Sequence, residues 1–177
     1  MTMSNRPIAI EAAAGALANV GVVEVGGENR GTAVETYLRS VGLPAGQPWC
    51  AAFVRFRFEA AAAKLGADLP DHFPDSGWVP AYVAWAKQRG VWLPMADARE
   101  APLQVRPGDL CAFWFESKLR CAHIGIVVEP ATEDGFFSVE GNTGGGVGVE
   151  RDGDGVWRKW RRWSSLGAGG GIIRIHW

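Results

Sequence analysis

The sequence predicts an α+β domain in which N-terminal helices pack on a C-terminal antiparallel β-sheet of about five to six strands. Up to Gly90 the apolar residues recur mostly at helical spacing, whereas from Gly108 onward they form short runs that suit extended strands. Asp-Gly and Gly-Gly turn sequences separate these later runs, as they do in antiparallel hairpins. No repeat or linker divides the 177 residues, so we expect a single domain that spans residues 1–177.

Four helices are expected in the first half of the chain. Residues four apart in the alanine-rich start share one face, and Gly66 and Gly90 follow apolar stretches as helix stops. Ser76 is the expected cap of the fourth helix. The predicted helices run from Ser4 or Asn5 to about Asn19, from Thr32 to Val41, from Trp49 to Leu65, and from Val79 to Arg89.

Six strands are expected in the second half. Each is a short apolar run between turn residues, which is the usual pattern of a sheet built from hairpins. The predicted strands are Asp109 to Phe115, Ala122 to Glu129, Phe136 to Glu140, Val147 to Arg151, Val156 to Trp163, and Ile172 to His176.

Composition and charge exclude several classes of protein. The chain is 47% hydrophobic and 21% charged, as in ordinary globular proteins. Its net charge of −1 gives no general electrostatic basis for binding nucleic acid or an anionic membrane. We find neither an apolar run of transmembrane length nor a signal-peptide pattern. We therefore expect no membrane insertion and synthesis in the cytoplasm; if the protein acts outside it, something other than a cleaved signal delivers it. A monomer is expected.

Cys50 stands at the start of the third predicted helix, two residues after Pro48. The partial positive charge and free N–H groups of a helix N-terminus favour a thiolate over a thiol. Cys50 is therefore a candidate nucleophile. The alternative is a buried cysteine that packs as a small hydrophobic residue.

The other cysteines and acidic turns give little indication of a metal. Cys111 and Cys121 lie on strands predicted to be adjacent, where they would form either a disulfide or two buried thiols. The chain has no CxxC pair, so we do not expect structural zinc. Asp152-Gly153-Asp154-Gly155 resembles a fragment of a calcium loop, but the later ligand positions are missing, so a hairpin turn is expected and no cofactor.

His123 is the histidine best placed to serve as a base. It begins an apolar strand in which Ile124, Ile126 and Val128 would occupy the face opposite to its ring. The other two histidines lie in a loop and next to the last residue. A structural histidine is the alternative interpretation.

Glu140 and Asn142 end the third predicted strand and, two residues apart, share one face of it. If this strand is a hairpin neighbour of the one that carries His123, either side chain can reach the imidazole. A cysteine nucleophile needs such an imidazole and a polar group that fixes its tautomer. The alternative is a strand end and turn, where asparagine is common.

Four sequence blocks in this order resemble the CHAP family, the cysteine- and histidine-dependent amidohydrolases/peptidases of the papain-like NlpC-type superfamily. The blocks are Pro48-Trp49-Cys50-Ala51-Ala52-Phe53-Val54, Pro107-Gly108-Asp109-Leu110, Ala122-His123-Ile124-Gly125-Ile126-Val127 and Glu140-Gly141-Asn142-Thr143. The resemblance extends over residues 21–177 and implies a papain-like CHAP fold.

The resemblance implies cleavage of peptidoglycan, either at the N-acetylmuramoyl-L-alanine amide or within the stem peptide or cross-bridge. It makes Cys50 the nucleophile and His123 the base, with Glu140 as the residue that orients the ring and Asn142 as an alternative or helper. The backbone N–H of Cys50 would hold the oxyanion, with Gln47 as a candidate side chain.

A substrate groove and a wall-contacting strand are further expectations. Trp49, Glu24, Asn29 and Arg30 are candidates to line the groove, although the last three also suit a solvated loop. The basic and aromatic run from Arg158 to Trp163 is expected to form an exposed strand, its residues divided between two faces, that contacts wall polymer.

Two alternative functions accompany this prediction: a catalytically silent wall-binding module of the same fold, and a papain-fold amidase or deamidase that acts on a protein. Expected partners are peptidoglycan and, for delivery or control, a secretion apparatus, a phage lysis system or an immunity protein. The sequence alone does not choose between a phage endolysin and a secreted toxin.

Overall fold

A computed structural model describes residues 6–146 and 153–175, which form five α-helices and one six-stranded antiparallel sheet. The chain is therefore of the α+β class. The helices are α1 (Arg6–Ala18), α2 (Thr32–Arg39), α3 (Cys50–Leu65), α4 (Val79–Gln88) and α5 (Met95–Glu100). The strands are β1 (Trp92–Pro94), β2 (Leu110–Phe115), β3 (Arg120–Val127), β4 (Gly135–Thr143), β5 (Gly155–Arg162) and β6 (Gly171–Ile173).

The strands lie in the order β1-β6-β2-β3-β4-β5. The strands β2 to β5 follow one another as a meander, whereas β6 inserts between β1 and β2. Residue Ile126 of β3 lies opposite Val139 of β4, and the β2–β3 ladder shifts register between Phe113 and Trp114. The meander brings the ends of β3 and β4 side by side.

The larger core lies between the helices and one face of the sheet. The helix α3 is its centre, because it contacts α1 and α2 on one side and β3 and β4 on the other. Its buried Phe53, Val54 and Phe58 belong to the same cluster as Ile124 and Ile126 of β3. This packing holds the first turn of α3 against the sheet.

A smaller apolar cluster covers the opposite face. It combines Cys111, Phe113 and Ile172 of the sheet with Ala98 of α5 and with Leu166 of a short 3-10 helix, Trp163–Leu166. Since side chains alternate between faces along a strand, β2 contributes to both clusters.

Four helices were expected, and each lies within about three residues of its predicted bounds; the structure adds α5 and β1. The strand β1 is only three residues long and takes its ladder partners from β6, some 80 residues later in the chain, so no local pattern indicates it. Ser76 is not the cap of α4. Its Oγ accepts a hydrogen bond from the N–H of Trp78 at 3.0 Å, and the helix starts at Val79 without a side-chain cap.

Five of the six expected strands appear as β2 to β6. The remaining expected strand, Val147 to Arg151, lies outside the described residues, and so do Asp152 of the acidic turn and His176. The expectation of an exposed strand from Arg158 to Trp163 is wrong in part: Lys159, Arg161 and Trp163 are buried, while alternate residues of β5 remain at the surface.

Candidate active site

Cys50 is the first residue of α3 and is 3% exposed. It borders a surface cleft of about 390 Å³. The first N–H groups of an α-helix have no acceptor within the helix, so they remain available to a bound oxygen near the thiol. The thiol thus combines access from solvent with an electropositive helix end.

The first turn of α3 is held in place from two sides. The buried hydroxyl of Tyr82 in α4 donates a hydrogen bond to the Ala51 carbonyl at 3.2 Å. On the sheet side, a Cβ at Gly141 would lie 2.7 Å from Trp49 Cζ3 and 2.9 Å from Phe53 Cβ, so only glycine allows β4 to approach this closely.

His123 lies on β3 and is fully buried. Its Nε2 is 2.8 Å from Glu140 Oε2, and its ring lies 5.4 Å from the ring of Phe113. The Cys50 thiol raises the pKa of this imidazole. Nδ1 of the same ring is buried and has no hydrogen-bond partner among the described residues.

Glu140 is a buried carboxylate whose oxygens are both bonded. Ser138 Oγ donates to Oε1 at 2.6 Å. The Arg161 guanidinium binds both oxygens, Nε to Oε1 at 2.7 Å and Nη2 to Oε2 at 2.6 Å. A two-pronged arginine–carboxylate contact fixes orientation as well as charge. Glu140 is therefore held in one position from which it can orient His123.

The electrostatics of this cluster favour a charged pair. Burial alone would lower the pKa of His123, but its interactions with Cys50 and Glu140 outweigh burial and raise that pKa. Burial would raise the pKa of Glu140, yet the hydrogen bonds from Arg161 and His123 and their positive charges lower it. The site thus stabilises an imidazolium next to a carboxylate.

Arg161 is the site residue that sequence reasoning missed. It is 3% exposed and points inward from β5, whereas Arg158 and Arg162 on the same strand do not. The alternation of side chains along a strand could have identified it. If Arg158, Trp160 and Arg162 face solvent, then Lys159 and Arg161 must face the opposite way. The buried arginine supplies the second cation that Glu140 needs.

Asn142 and Gln47 are placed differently from Glu140. Asn142 is buried with φ of 56° at the irregular end of β4, and neither of its amide atoms bonds to the described residues. Since Nε2 of His123 is bonded to Glu140, the two orienting candidates are not equivalent in this structure. Gln47 is exposed and borders the cleft together with Cys50.

The groove candidates need a correction. Trp49 is fully buried between Tyr37 and Phe53, so it belongs to the core and not to a groove surface. Its Nε1 donates to Glu24 Oε1 at 3.1 Å, and Glu24 Oε2 accepts the N–H of Asn29 at 2.9 Å. Within the described part of the chain, the cleft beside Cys50 is not bordered by any of the four groove candidates, Trp49, Glu24, Asn29 and Arg30. Glu24 instead ties its loop to the indole.

The three cysteines are free thiols. Cys111 and Cys121 belong to different core clusters, on opposite faces of the sheet. Within residues 6–146 and 153–175, no three His, Cys, Asp or Glu side chains group together as metal ligands. Asp154 of the acidic turn accepts a hydrogen bond from Trp157 Nε1 at 3.3 Å.

Asp109 of the Pro-Gly-Asp-Leu block has a structural contact set. Its Oδ2 accepts the N–H of Arg106, and its Oδ1 accepts the N–H of Ile175, both at 2.9 Å. This buried carboxylate therefore joins the entry to β2 to the segment after β6.

None of the described helices is both long and apolar enough to cross a bilayer.

Comparison with known protein families, curated proteins and solved structures gives no match to this chain. The interpretation of the site therefore depends on its geometry and chemistry.

Proposed function

We propose that this chain is a CHAP-type cysteine hydrolase that cleaves an amide bond in peptidoglycan. The observation that carries the proposal is the linked set of Cys50, His123 and Glu140. The thiol of Cys50, at a helix N-terminus, borders the same cleft as Ala122, and the next residue, His123, has its Nε2 bonded to the Glu140 carboxylate. This is the arrangement that cysteine nucleophiles use.

The papain-like architecture is part of the same proposal. A nucleophile at the start of a buried helix, facing a histidine and an acidic residue on neighbouring antiparallel strands, is what the resemblance to the CHAP family implies. The contacts of α3 with β3 and β4, and the antiparallel pairing of these two strands, support the proposal. The order of the three residues along the chain agrees with it as well.

In the first half of the reaction the Cys50 thiolate attacks the carbonyl carbon of the scissile amide, and a C–S bond forms. The negative charge moves to the carbonyl oxygen, where the N–H of Cys50 and the Gln47 side chain would stabilise it. Collapse of this intermediate breaks the C–N bond. The His123 imidazolium gives its proton to the departing amine, which leaves a thioester and a neutral imidazole.

In the second half a water molecule attacks the thioester carbonyl, and His123 accepts one of its protons. A C–O bond forms, the C–S bond breaks, and the product carboxylic acid departs from a regenerated thiolate–imidazolium pair. Glu140 accepts the Nε2–H of His123 throughout, so Nδ1 is the nitrogen that exchanges protons with the thiol, the amine and the water.

Hydrolysis of purified cell walls by wild type and Cys50→Ala tests the proposal. We expect wild type to clear a suspension of sacculi and Cys50→Ala to leave it turbid while retaining the wild-type circular dichroism spectrum. Equal clearing by both proteins, or none by wild type on walls from several bacteria, would overturn it. Mass spectrometry of the released fragments identifies the bond, because an amidase and an endopeptidase leave different new ends.

A further inference from the structure

The cleft beside Cys50 carries charges that the catalytic steps do not use. Arg120 and Asp75 border it, and they are the formally charged side chains among its described lining residues. They come from different segments, Arg120 from the start of β3 and Asp75 from the loop before α4. A charged side chain in a substrate cleft either has a partner in the protein or is available to one in the ligand.

Arg120 has little compensation from the protein. Its hydrogen bond is a long one, from Nη1 to the Cys121 carbonyl at 3.5 Å, and no carboxylate of the described residues forms an ion pair with it. Arg120 is the first residue of β3, three residues before His123, so its backbone is fixed at the strand end that leads into the site. A planar guanidinium with free N–H groups is suited to a carboxylate.

Asp75 is exposed and likewise forms no ion pair within the described part of the chain. Its immediate neighbours along the chain, Ser76 to Val79, also border the cleft. A carboxylate at this place attracts an ammonium group and repels a second carboxylate. The two charges therefore give the cleft a polarity that a ligand must match.

The rest of the lining supplies shape and apolar contact. Trp78 is 58% exposed and presents an indole to the ligand. Val41, Leu43 and Pro48 add apolar wall to the cleft. A cleft of about 390 Å³ with such walls accommodates a short peptide segment rather than a whole protein surface.

We propose that Arg120 and Asp75 determine substrate specificity by binding a zwitterionic peptide segment next to the scissile amide. Arg120 binds a free carboxylate of that segment, and Asp75 binds a free amine. This inference rests on the proposed hydrolase function and adds the class of peptide: one that carries both charges, not an amidated or acylated one. Neither residue takes part in bond making or breaking.

Binding to the inactive Cys50→Ala protein separates this inference from catalysis. The probes are a soluble muropeptide with a free carboxylate and a free amine, its carboxamide form, and its N-acetylated form, each titrated by calorimetry. Additional variants in the same background are Arg120→Gln, Asp75→Asn and, as a control, Arg99→Gln, an exposed arginine on α5 away from this cleft.

We expect Arg120→Gln to weaken binding of the charged muropeptide about tenfold or more and to lose the preference over the carboxamide, since a charge-assisted hydrogen bond has about that value. Asp75→Asn should weaken binding of the free-amine form and leave the N-acetylated form unaffected. Arg99→Gln should bind as the parent does. In the active protein, Arg120→Gln should raise KM with kcat nearly unchanged.

Two results would overturn the inference: Arg120→Gln that keeps the parent's preference for the carboxylate, or a parent that binds the charged and carboxamide muropeptides equally. Failure of the hydrolase proposal is recognised separately. In that case wild type would not cleave cell walls, whatever the binding of the Cys50→Ala proteins.

Discussion

Gly125 leaves the space that Glu140 occupies. A Cβ at position 125 would lie 2.5 Å from Glu140 Cγ and 3.1 Å from the Val139 carbonyl oxygen. The missing side chain on β3 thus lets the carboxylate of β4 fold over the strand and reach His123. The glycine of the Ala-His-Ile-Gly-Ile block is therefore needed because it has no side chain, which leaves room for Glu140, and not because it makes the backbone flexible.

The substitution Gly125→Ala should displace Glu140 from His123. We expect a loss of activity of about 100-fold or more, because the base loses its orienting partner, and a loss of stability of about 1–3 kcal/mol from overpacking. Hydrolysis rates and urea unfolding measure the two effects. Gly145→Ala is the matched control, since a Cβ there would meet its nearest neighbour, Trp157, at an ordinary 3.6 Å. Full activity of Gly125→Ala would show that Glu140 does not need its present position.

The three thiols should differ in their reaction with iodoacetamide. Cys50 borders the cleft and lies at a helix N-terminus, whereas burial raises the pKa of Cys111 beyond the usual range and that of Cys121 to about 11. We expect the native protein to take up one equivalent, at Cys50, with parallel loss of activity. Peptide mapping by mass spectrometry identifies the alkylated residue. First modification at Cys111 or Cys121 would contradict this order.

Glu140→Gln should change the pH dependence of catalysis. The carboxylate is one of the groups that raise the pKa of His123, so its removal lowers that pKa and moves the alkaline decline of the rate to lower pH. We also expect kcat to fall by about 100-fold or more. Rates across the pH range measure both effects. Glu129→Gln, which removes an exposed carboxylate, should keep the wild-type profile. If the alkaline decline of the rate lies at the same pH in Glu140→Gln as in wild type, Glu140 does not act on His123.

Glu140 should also make stability depend on acid. Its folded-state pKa lies below the ordinary 4.5, so its contribution to the free energy of unfolding is present above that value and is lost as pH falls through the lowered pKa. Urea unfolding at a series of acidic pH values should show a weaker decline for Glu140→Gln than for wild type. Equal declines would mean that Glu140 is not held as a buried anion.

The partner of that anion can be tested at neutral pH. Arg161→Met leaves the buried Glu140 carboxylate with His123 as its cationic partner and with the neutral hydroxyl of Ser138, which should cost about 3–5 kcal/mol of unfolding free energy. Arg162→Met, at the next and exposed position of β5, should cost little. Urea unfolding at pH 7 compares the two. Similar losses in both variants would contradict the specific role of Arg161.

Local patterns predict much of this fold. The boundaries of α3 follow from Pro48 before the helix and Gly66 after it, where the chain takes a left-handed conformation with φ of 59°. The change from helical to alternating spacing likewise predicts β2 to β5. By contrast, β1 and α5 depend on contacts with β6 and with the smaller core cluster, which are distant in sequence. Short elements of this kind take their stability from packing, and local propensity is a weak guide to them.

The candidate site, like the fold, could be predicted from the sequence only in part. Cys50, His123 and Glu140 could be proposed from residue type and strand position, because catalysis needs a nucleophile, a base and an orienting group. The role of Arg161 could not be predicted in that way. Alternation divides this run between two faces, but it does not show which of them lies against Glu140 of the neighbouring strand. The prediction that Trp49 lines a groove is wrong because an indole beside a nucleophile suits a groove as well as a core, and the sequence does not give its burial.

The insertion of β6 between β1 and β2 has a consequence for the order in which the protein is assembled on the ribosome. Cys50, His123 and Glu140 are all synthesised before residues 171–173 of β6. The strands β2 to β5 can pair as a meander without β6. The strand β1, although it is made earlier, has no neighbour in the sheet until β6 emerges. The edge of β2 therefore has no native partner until residues 171–173 are available. Once β6 occupies this edge, the Asp109 carboxylate at the entry to β2 accepts the N–H of Ile175 just after the strand and so joins the late segment to the earlier one.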